Sequence, residues 1–401
     1  MDGMGYDYSS MMAERRKIAL LIEWSRAYGR GVLAGIANYV KAHETWKIYQ
    51  TERRLCDGAP GWLKNWQGDG VIARIENDEL LRAIRKLDVP VVDLFEHQST
   101  EGIPGVITDN RAIAHRAADH LIERGLEHFA YCGLPGIYSS EARGACFVEY
   151  LNRAGHEISV YDNPRQSGSA FISTSEDYEL RCEETVASWV SSLPKPVGLM
   201  ACNDLRAHQV LMACSDQNIA VPEELAVIGV DNDELICELC HPPLTSIEQD
   251  CEGVGYQAAA LLDRLLDGET PPVEPIRIEP LAVVPRQSTD IVAIGDADVA
   301  AAVHFIRGHA CDGILVSDVV QHVQVSRSTL ERRFSKLLGR SPKAEILRVR
   351  LDRVKYLLSM TDYPLAKIAQ LAGFEYMESM CECFKRTTGQ TPGKFRSEGR
   401  S

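Results

Sequence analysis

The chain has 401 residues, 45% of them hydrophobic and 25% charged, which is the composition of an ordinary globular protein and not of a disordered one. Because one hydrophobic core rarely organises so long a chain, we expect two or three domains. The net charge of -14 argues against nucleic acid as a partner of the chain as a whole.

The N-terminus and the cysteines exclude several classes of protein. Residues 1–16 precede the first predicted strand, and we expect them to form a disordered tail. The apolar run Ile18 to Ile22 is too short for a signal-peptide core or a membrane span. Twelve cysteines are scattered singly, so we expect free thiols in the cytoplasm and no disulfide framework. No motif predicts a metal or a resident cofactor.

Residues 17–287 alternate short apolar runs with helical periodicity. Runs that are apolar along their whole length are typical of strands buried on both faces of a parallel sheet. Helices fit between them, for example over 110–123, 141–154 and 251–266. Ten strands are more than one sheet of this kind usually holds, so we predict an α/β region of two lobes. We expect a ligand cleft between the lobes, at the carboxyl ends of the strands. The predicted strands are KIALLI (17–22), KIYQT (47–51), GVIAR (70–74), VPVVDLF (89–95), GVITD (105–109), HFAYCGL (128–134), EISVY (157–161), VGLMAC (197–202), LAVIGVDN (225–232) and LTSIEQ (244–249).

Polar side chains stand where several of these strands end. A sugar presents hydroxyl groups that need both donors and acceptors, which carboxylate, amide and guanidinium groups supply. An aromatic ring such as Trp24 or Tyr28 would cover the apolar face of a pyranose. For Asn110 and Asn232 we favour helix capping or loop hydrogen bonding over ligand contact, because each begins a helix. The candidate polar ligand residues are Asp109, Arg143, Asn203, Asp231 and Gln249.

A proline-rich stretch, Gly268 to Asp290, interrupts the α/β alternation. Its first part is compatible with the end of the α/β region, and the part beyond Pro285 is typical of a linker. We place the linker at 288–296 and a second domain at 297–401. That domain has only helical periodicity and contains one pattern twice.

Each copy of this pattern predicts a helix, a tight turn and a second helix with exposed polar residues. We expect Ser317 and Ser326 to cap the two helices of the first copy, and Gly373 with Phe374 to form the turn of the second. The copies span VSDVVQHVQVSRSTLERRFSKLLG (316–339) and PLAKIAQLAGFEYMESMCECFKRTTG (364–389).

The charge of this second domain differs from that of the rest. Residues 291–401 hold 17 basic and 12 acidic side chains, against 26 and 45 in the part before them. Only this part is suited to phosphates. Arginine can fork onto guanine, and serine or threonine suits phosphates or bases. The predicted DNA contacts are Arg327, Ser328, Thr329, Glu331 and Arg332 in the first copy, and Tyr376, Met377, Glu378, Lys385 and Arg386 in the second.

A long ordered set of residues in the two copies follows a known pattern. It comprises Ser326, Leu330, Arg332, Phe334, Gly339, Pro342, Arg350, Leu351, Ala369, Gly373, Phe374, Phe384, Lys385, Gly389, Thr391 and Pro392. This stretch resembles the DNA-binding domain of the AraC family of transcription regulators. A bundle of amphipathic helices with solvated charges would explain one copy, but not both together with the local positive charge. Met380 and Glu382 depart from the family pattern, and because Glu382 repels phosphate, we expect the second copy to hold DNA less firmly.

The α/β region also follows a known pattern, in ITDNRAIAHRAADHLIERGLEHFAYCG (107–133), ACNDLRAHQVLMAC (201–214), VPEELAVIGVDND (221–233) and PPLTSIEQD (242–250). It resembles the periplasmic-binding-protein-like sensor of the lactose and galactose repressor family. By that resemblance Arg143, Asn203, Asp231 and Gln249 contact the ligand. We expect no N-terminal DNA-binding module like that of those repressors, because the first strand begins at Lys17.

A sensor of this kind followed by an AraC-type domain resembles the family of xylose operon regulators, as do AYGRGVLAGIANYV (27–40) and VHFIRGHACDGI (303–314). The resemblance implies a cytoplasmic, sugar-responsive transcription regulator and not an enzyme. D-xylose is the favoured effector and activation the favoured outcome, with another pentose or a hexose as the alternative. The implied partners are double-stranded operator DNA, a second copy of the chain and RNA polymerase.

Other functions conflict with the sequence. A sugar-active α/β enzyme carrying a DNA-binding domain would need paired carboxylates, for which Asp109, Asp204 and Asp231 are available. The sequence nevertheless lacks GxGxxG after the first strand, a P-loop and GxSxG. CELCH (237–241) has the spacing of a haem attachment site, but haem attachment requires export, as does a transport binding protein.

Overall fold

The computed structural model describes residues 15–43, 46–54, 57–95, 102–162, 185–291 and 296–398. The chain divides into two units with the boundary between Asp290 and Ile291. The first unit is α/β and the second is helical, which confirms the predicted fold class. Within the described residues, no helix has the length and hydrophobicity that a bilayer crossing requires. The predicted tail lies outside the described residues except at its end, where Arg16 already begins the first strand.

All ten predicted strands are present, with ends shifted by one or two residues. Two further strands, β11 and β12 below, come from the proline-rich stretch and were not predicted. The strands are β1 (Arg16–Leu21), β2 (Trp46–Gln50), β3 (Gly70–Ala73), β4 (Val91–Asp93), β5 (Val106–Thr108), β6 (His128–Cys132), β7 (Ile158–Val160), β8 (Val197–Ala201), β9 (Leu225–Val230), β10 (Thr245–Glu248), β11 (Ile276–Ile278) and β12 (Ala282–Val284).

The helices of the first unit connect these strands. Three of them agree with the predicted ranges to within three residues, because their apolar positions recur at helical spacing. They are α1 (Ala27–His43), α2 (Asp78–Ile84), α3 (Asn110–Ile122), α4 (Tyr138–Arg153), α5 (helical over 185–192), α6 (Asp204–Asp216), α7 (Glu234–Leu239) and α8 (Cys251–Leu266).

The first unit has two lobes, each with its own sheet. The N-terminal sheet has the parallel order β2-β1-β3-β4, and a bridge from Asp93 to Gly105 extends it to the parallel pair β5-β11. The C-terminal sheet has the order β12-β10-β9-β8-β6-β7, in which only β12 is antiparallel to its neighbour. Every residue of β3, β8 and β9 is buried, as their continuous apolar runs predict.

The helices cover both sheets and bury their apolar faces against them. Helices α1 and α8 share one core with the N-terminal sheet, and α2 packs on the other side. Helices α5, α6 and α7 share a core with the C-terminal sheet. The chain crosses between the lobes at Asp109, at Gln249 and between β11 and β12. Parallel strands therefore end at the edge where these crossings run, which is the expected place for a ligand.

The last residues of the first unit are fixed within it. Ser288 and Thr289 lie in a short 3-10 turn and are fully buried. The Ser288 hydroxyl donates to the Val227 carbonyl oxygen at 2.6 Å. The linker predicted from residue 288 is therefore wrong at its start, because these two side chains have buried partners in the sheet. The sensor extends beyond the predicted end at residue 287.

The second unit consists of helices throughout its described part. Two helix-turn-helix pairs, α10–α11 and α13–α14, flank the long helix α12, and each pair has its own apolar core. The helices are α9 (Ala297–His309), α10 (Val316–Val323), α11 (Arg327–Leu338), α12 (Pro342–Met360), α13 (Leu365–Leu371), α14 (Met377–Thr388) and α15 (Pro392–Glu398).

Capping residues define both pairs. Ser326 caps α11 as predicted, since its hydroxyl accepts a hydrogen bond from the Thr329 amide at 3.2 Å. The cap predicted at Ser317 is wrong, because α10 already begins at Val316. There the Asp318 carboxylate accepts from the Leu315 amide at 2.7 Å.

Candidate functional site

A buried arginine lies at the centre of the polar residues between the lobes. Arg143 of α4 is 6% exposed. Its Nε donates to Asn110 Oδ1 at 2.9 Å, and its Nη1 donates to the Cys202 carbonyl oxygen at 2.6 Å. Its Nη2 donates to Gln249 Oε1 at 3.4 Å. The guanidinium thereby joins two of the crossings between the lobes to the end of β8.

Asn110 makes a hydrogen bond within the fold and does not cap a helix. Asp109 caps α3, because its carboxylate accepts from the Ala112 amide at 2.9 Å. Asn110 follows it, is buried and uses its amide oxygen to accept from Arg143. Of the two roles expected for Asn110, capping is excluded because Asp109 caps α3, and hydrogen bonding within the fold is what the structure shows.

Asp231 extends this network at the end of β9. Its Oδ1 accepts a hydrogen bond from Gln249 Nε2, and its amide donates to the Ile247 carbonyl oxygen at 3.0 Å. Its φ of 115° is rare for a residue with a side chain and costs about 1–3 kcal/mol, a strain that is often found at ligand sites. Burial raises the pKa of the Asp231 carboxyl, and the positive charges of Arg143 and Arg74 partly oppose that rise.

The N-terminal lobe contributes a second charged cluster, which sequence reasoning missed. The guanidinium of Arg74, at the end of β3, pairs with Glu23 at 2.7 Å and with Glu76 at 2.7 Å. It also lies over the ring of Tyr28, 4.8 Å from the centroid, and over that of Phe95 at 5.2 Å. The only signal in the sequence was the charged Arg74 directly after the short apolar run 70–73.

Glu23 is a buried carboxylate of this cluster with one paired oxygen. It is 3% exposed, and burial raises the pKa of its carboxyl while Arg74 lowers it. Its Oε1 binds Arg74, whereas its Oε2 is buried without a hydrogen-bond partner among the described residues. A buried acceptor of this kind favours a ligand that donates a hydrogen bond.

The two lobes face each other through these groups. The charge of Arg74 in the N-terminal lobe acts on the Asp231 carboxylate in the C-terminal lobe. Beside them, Arg30 of α1 lies 3.6 Å from Asp233, which follows β9. Carboxylates, guanidinium groups, an amide and an aromatic ring are thus available to one small polar ligand, a set that suits a polyhydroxylated molecule.

The remaining predicted ligand residues lie outside this hydrogen-bonded network. Asn203 caps α6, accepting from the Arg206 amide at 2.9 Å, and Asp109 caps α3. Trp24 is 44% exposed. The Tyr28 hydroxyl donates to the Leu94 carbonyl oxygen at 3.2 Å, and the Tyr28 ring packs against the Arg74 guanidinium. The structure therefore brings Arg143, Gln249 and Asp231 together and places Tyr28 in the second cluster.

A buried carboxylate supports the loop that carries Asp231. Asp204 is 1% exposed, and it accepts hydrogen bonds from the Asp233 amide at 2.8 Å and from Ser246 Oγ at 2.5 Å. Burial, and then the charge of Asp231, raises the pKa of the Asp204 carboxyl to about 8. The Cys237 thiol donates to the same carboxylate at 3.5 Å.

The CxxCH segment has a structural role here. Cys237 and Cys240 are buried in the core of the C-terminal lobe, and burial raises the pKa of both thiols. Across the described ranges, no group of three or more His, Cys, Asp or Glu side chains is arranged to hold a metal ion.

In the first helix-turn-helix pair, α11 presents a polar face with a basic end. Arg327, Ser328 and Arg332 are exposed, and Thr329 and Glu331 are half-buried. Arg327 Nε donates to Glu331 Oε1 at 2.9 Å, an i,i+4 pair on the surface of the helix. This pair uses only the Nε of Arg327, and it places a negative charge beside the guanidinium.

In the second pair, α14 begins after the exposed residues Glu375 and Tyr376. Its exposed residues are acidic in the first turns and basic in the last. Met380, by contrast, is fully buried and belongs to the core of this pair. The exposed side chains of this helix that matter here are Met377, Glu378, Glu382, Lys385 and Arg386.

The two pairs are held together through α12. Arg350 Nε and Nη2 donate to the carbonyl oxygens of Ala310 and Ile314 at 2.7 and 2.8 Å, and its guanidinium lies 5.8 Å from the ring centroid of Phe374. Gly373, at φ 73°, approaches so closely that a Cβ would lie 2.7 Å from the Ala310 oxygen. These contacts fix the turn of the second pair against the segment that leads into the first.

An ion-pair cluster also holds α11 in the unit. Arg333 Nη1 pairs with Asp296 at 3.1 Å and with Asp298 at 2.8 Å. Asp296 is the N-cap of α9. Arg333 is therefore engaged with α9 and is not one of the exposed cations of the polar face.

The same architecture occurs in known proteins. Three family descriptions match: XylR N-terminal domain over residues 17–111, periplasmic binding protein-like domain over 118–289, and helix-turn-helix domain over 319–398. A solved structure described as that of the xylose-binding transcription activator xylR is 33% identical, with a TM-score of 0.81 over 96% of this chain and 99% of that one. A regulator from Alkaliphilus metalliredigens complexed with D-xylulofuranose, 22% identical with a TM-score of 0.55, shares the fold over 69% of this chain and 100% of that one.

Curated relatives extend the likeness over nearly the whole chain. The xylose operon regulatory protein of Escherichia coli (strain K12) is 36% identical over 96% of this chain and 98% of its own length. The corresponding protein of Haemophilus influenzae is 32% identical over 96% and 99%. These relatives are transcription regulators and not enzymes. With its two-lobed α/β unit followed by two helix-turn-helix pairs, the chain belongs to the family of xylose operon regulatory proteins.

Proposed function

We propose that this chain is a D-xylose-responsive transcription activator that acts in the cytoplasm. The observation that carries the proposal is the network of Arg143, Gln249 and Asp231 at the crossings between the lobes. It supplies donors and acceptors to sugar hydroxyls, and Arg74 and Glu23 face it from the other lobe. The likeness to regulators named for xylose favours D-xylose among the sugars.

The sugar shifts the equilibrium between two arrangements of the lobes. A ligand favours an arrangement only by the difference between its affinities for the two, so the contacts must come from both lobes. Glu23, with one carboxylate oxygen that has no partner among the described residues, provides such a contact from the N-terminal lobe. Asp231, with its φ of 115°, provides one from the C-terminal lobe. We expect D-xylose to bridge them and thereby stabilise one arrangement.

The second unit binds operator DNA through α11 and, less firmly, through α14. Two presented helices on one rigid unit fit two successive major-groove segments. Arg327 and Arg332 carry positive charge onto the face of α11, while Glu378 and Glu382 place negative charge on that of α14. The chain acts as a homodimer on paired half-sites and recruits RNA polymerase, a role that the description of the xylose-binding relative as an activator supports.

A sugar panel tests the first part of this proposal. Purified full-length protein is heated with D-xylose, L-arabinose, D-ribose or D-glucose, and the midpoint of unfolding is followed. A sugar present at 100 times its Kd stabilises the folded state by about 2.7 kcal/mol. At one common concentration the sugar with the lowest Kd therefore raises the midpoint of unfolding most, and we expect that sugar to be D-xylose. A larger shift with another sugar would reassign the effector, and conversion of the sugar to a product would make the protein an enzyme.

A salt titration tests the second part. Replacement of Arg332 by Ala is expected to weaken operator binding by about 1–3 kcal/mol if Arg332 reads a base. If it holds a phosphate, the affinity for all sequences falls alike and the slope of log K against log salt decreases by about one. Unchanged affinity at every salt concentration would remove Arg332 from the interface.

A further inference from the structure

One arginine connects the Asp231 loop to the end of the first unit. The Arg286 side chain is 13% exposed. Its Nη2 donates to Asn232 Oδ1 at 2.9 Å, its Nη1 to the Leu244 carbonyl oxygen at 3.0 Å, and its Nε to Glu238 Oε1 at 3.1 Å. Asn232 does not cap a helix, because the residue before α7 is Asp233. Its amide oxygen binds Arg286 instead, which is the loop hydrogen bonding expected as the alternative to capping.

The segment that begins with Arg286 is fixed by its backbone as well. The Arg286 amide donates to Thr245 Oγ1 at 2.8 Å, and the Thr245 hydroxyl donates to the Arg286 carbonyl oxygen at 3.0 Å. Thr289 Oγ1 lies 2.8 Å from His120 Nε2, and the Arg124 side chain donates to the Thr289 carbonyl oxygen at 2.6 Å. Residues 286–289 are thus anchored directly before the boundary with the helical unit at Ile291.

Asn232 itself is held in an uncommon backbone conformation. Its φ is 47°, and that of its neighbour Asp231 is 115°. The Asn232 amide donates to Ser246 Oγ at 3.0 Å, so both residues are bonded to β10 or its neighbourhood. Two consecutive residues in the left-handed region form a segment whose conformation depends on the contacts around it. Asp231 belongs to the candidate sugar site, and Arg286 binds the residue next to it.

We propose that Arg286 is a positioning residue that couples occupancy of the sugar site to the segment leading into the DNA-binding unit. The inference rests on the proposed function. When the sugar changes the position of Asp231, Asn232 moves with it, and the Arg286–Asn232 hydrogen bond is retained in one arrangement and weakened in the other. Coupling needs an element whose contacts differ between the two states, and this hydrogen bond supplies one.

Substitutions at Asn232 isolate this contact. Asn232→Gly removes the acceptor, and glycine adopts a φ of 47° without strain. Asn232→Asp keeps an oxygen acceptor and tolerates the left-handed region, so it is the matched control. Glu238→Gln alters a different partner of Arg286 and serves as a second control. Arg286→Gln removes the charge from the other side of the contact.

The measured quantity is the coupling factor of the full-length protein, the ratio of its operator Kd without D-xylose to that with saturating D-xylose. Fluorescence anisotropy gives the operator Kd, and calorimetry gives the D-xylose Kd without DNA. We expect Asn232→Gly and Arg286→Gln to lower the coupling factor at least about fivefold. Asn232→Asp and Glu238→Gln are expected to keep the wild-type factor.

The outcomes separate this inference from the proposed function. If Asn232→Gly binds D-xylose and keeps the wild-type coupling factor, the Arg286 contact is merely structural and the inference is wrong. It is equally wrong if Glu238→Gln lowers the factor as much as Asn232→Gly. If Arg286→Gln does not fold, Asn232→Gly alone decides. A wild-type protein without D-xylose binding or coupling overturns the proposed function instead.

Discussion

Replacement of Arg143 by Met should weaken D-xylose binding strongly. Arg143 is 6% exposed and donates to Asn110, Cys202 and Gln249, so its guanidinium is held rigidly at the crossings between the lobes. A hydrogen bond from a charged group contributes about 1.5–3 kcal/mol. Loss of one such bond to the sugar corresponds to an increase in Kd of about 10- to 150-fold.

The substitution has a second effect through Asp231. The charge of Arg143 lowers the pKa of the Asp231 carboxyl, so its removal should raise that pKa further. Because the ionised carboxylate is the form that accepts hydrogen bonds from a sugar, we expect the affinity of the variant to begin to fall at a higher pH than that of the wild type. Titration calorimetry with D-xylose at several pH values measures both effects.

A matched control lies on the same helix. Arg153 ends α4, its side chain is 72% exposed, and it forms an ion pair with Glu149 on that surface. Arg153→Met should bind D-xylose like the wild type, because the pair is solvated. If a folded Arg143→Met variant binds D-xylose within about threefold of the wild type, less than 1 kcal/mol, the assignment of Arg143 to the sugar site is wrong.

Three further variants test the helical unit. Glu345 is fully buried and, although burial alone raises its pKa, Arg348 and Arg340 hold the pKa of its carboxyl below the ordinary value of 4.5. At a pH above 4.5, Glu345→Gln should lower the free energy of unfolding by about 1–3 kcal/mol. The difference between variant and wild type should shrink as the pH falls through the lowered pKa that Glu345 has in the folded protein. Urea unfolding that gives the same difference at every pH would refute this. Gly373→Ala should cost about 1–3 kcal/mol, because its φ is 73° and a Cβ would meet two carbonyl oxygens at 2.7 Å; an unchanged midpoint of thermal unfolding would contradict the close approach. Glu331→Gln removes the partner of Arg327 and one negative charge, so operator affinity by anisotropy should rise by about twofold to tenfold at low salt, and a decrease would mean that Glu331 itself contacts DNA.

The fold was largely predictable because its elements are strongly patterned. Apolar runs such as Val197–Ala201 and Leu225–Val230 are buried along their whole length and could be read directly as strands. The linker was misplaced because Ser288 and Thr289 look solvent-exposed in a sequence, whereas their hydroxyls have buried partners. Proline-rich composition indicates a break in the pattern, but not which hydroxyl groups return to the sheet.

The site was predicted in part. Arg143, Asp231 and Gln249 were predicted as ligand contacts because they occur at strand ends and helix starts in a recognisable pattern, and the structure joins them in one hydrogen-bonded network. Their contact with a ligand stays a prediction. Arg74 and Glu23 were missed because β3 and β9 belong to different sheets, so no local pattern relates Arg74 to Asp231. Arg286 was missed because its contact with Asn232 joins residues 54 positions apart, so no local pattern relates the two.

The central claim is that sugar occupancy and DNA affinity are linked in this chain. The most direct measurement is the operator Kd at fixed salt with and without D-xylose, combined with the D-xylose Kd with and without operator. We expect D-xylose to tighten operator binding, and operator to tighten D-xylose binding by the same factor, about 5- to 150-fold for a typical coupling. An operator Kd that does not change at saturating D-xylose would contradict it.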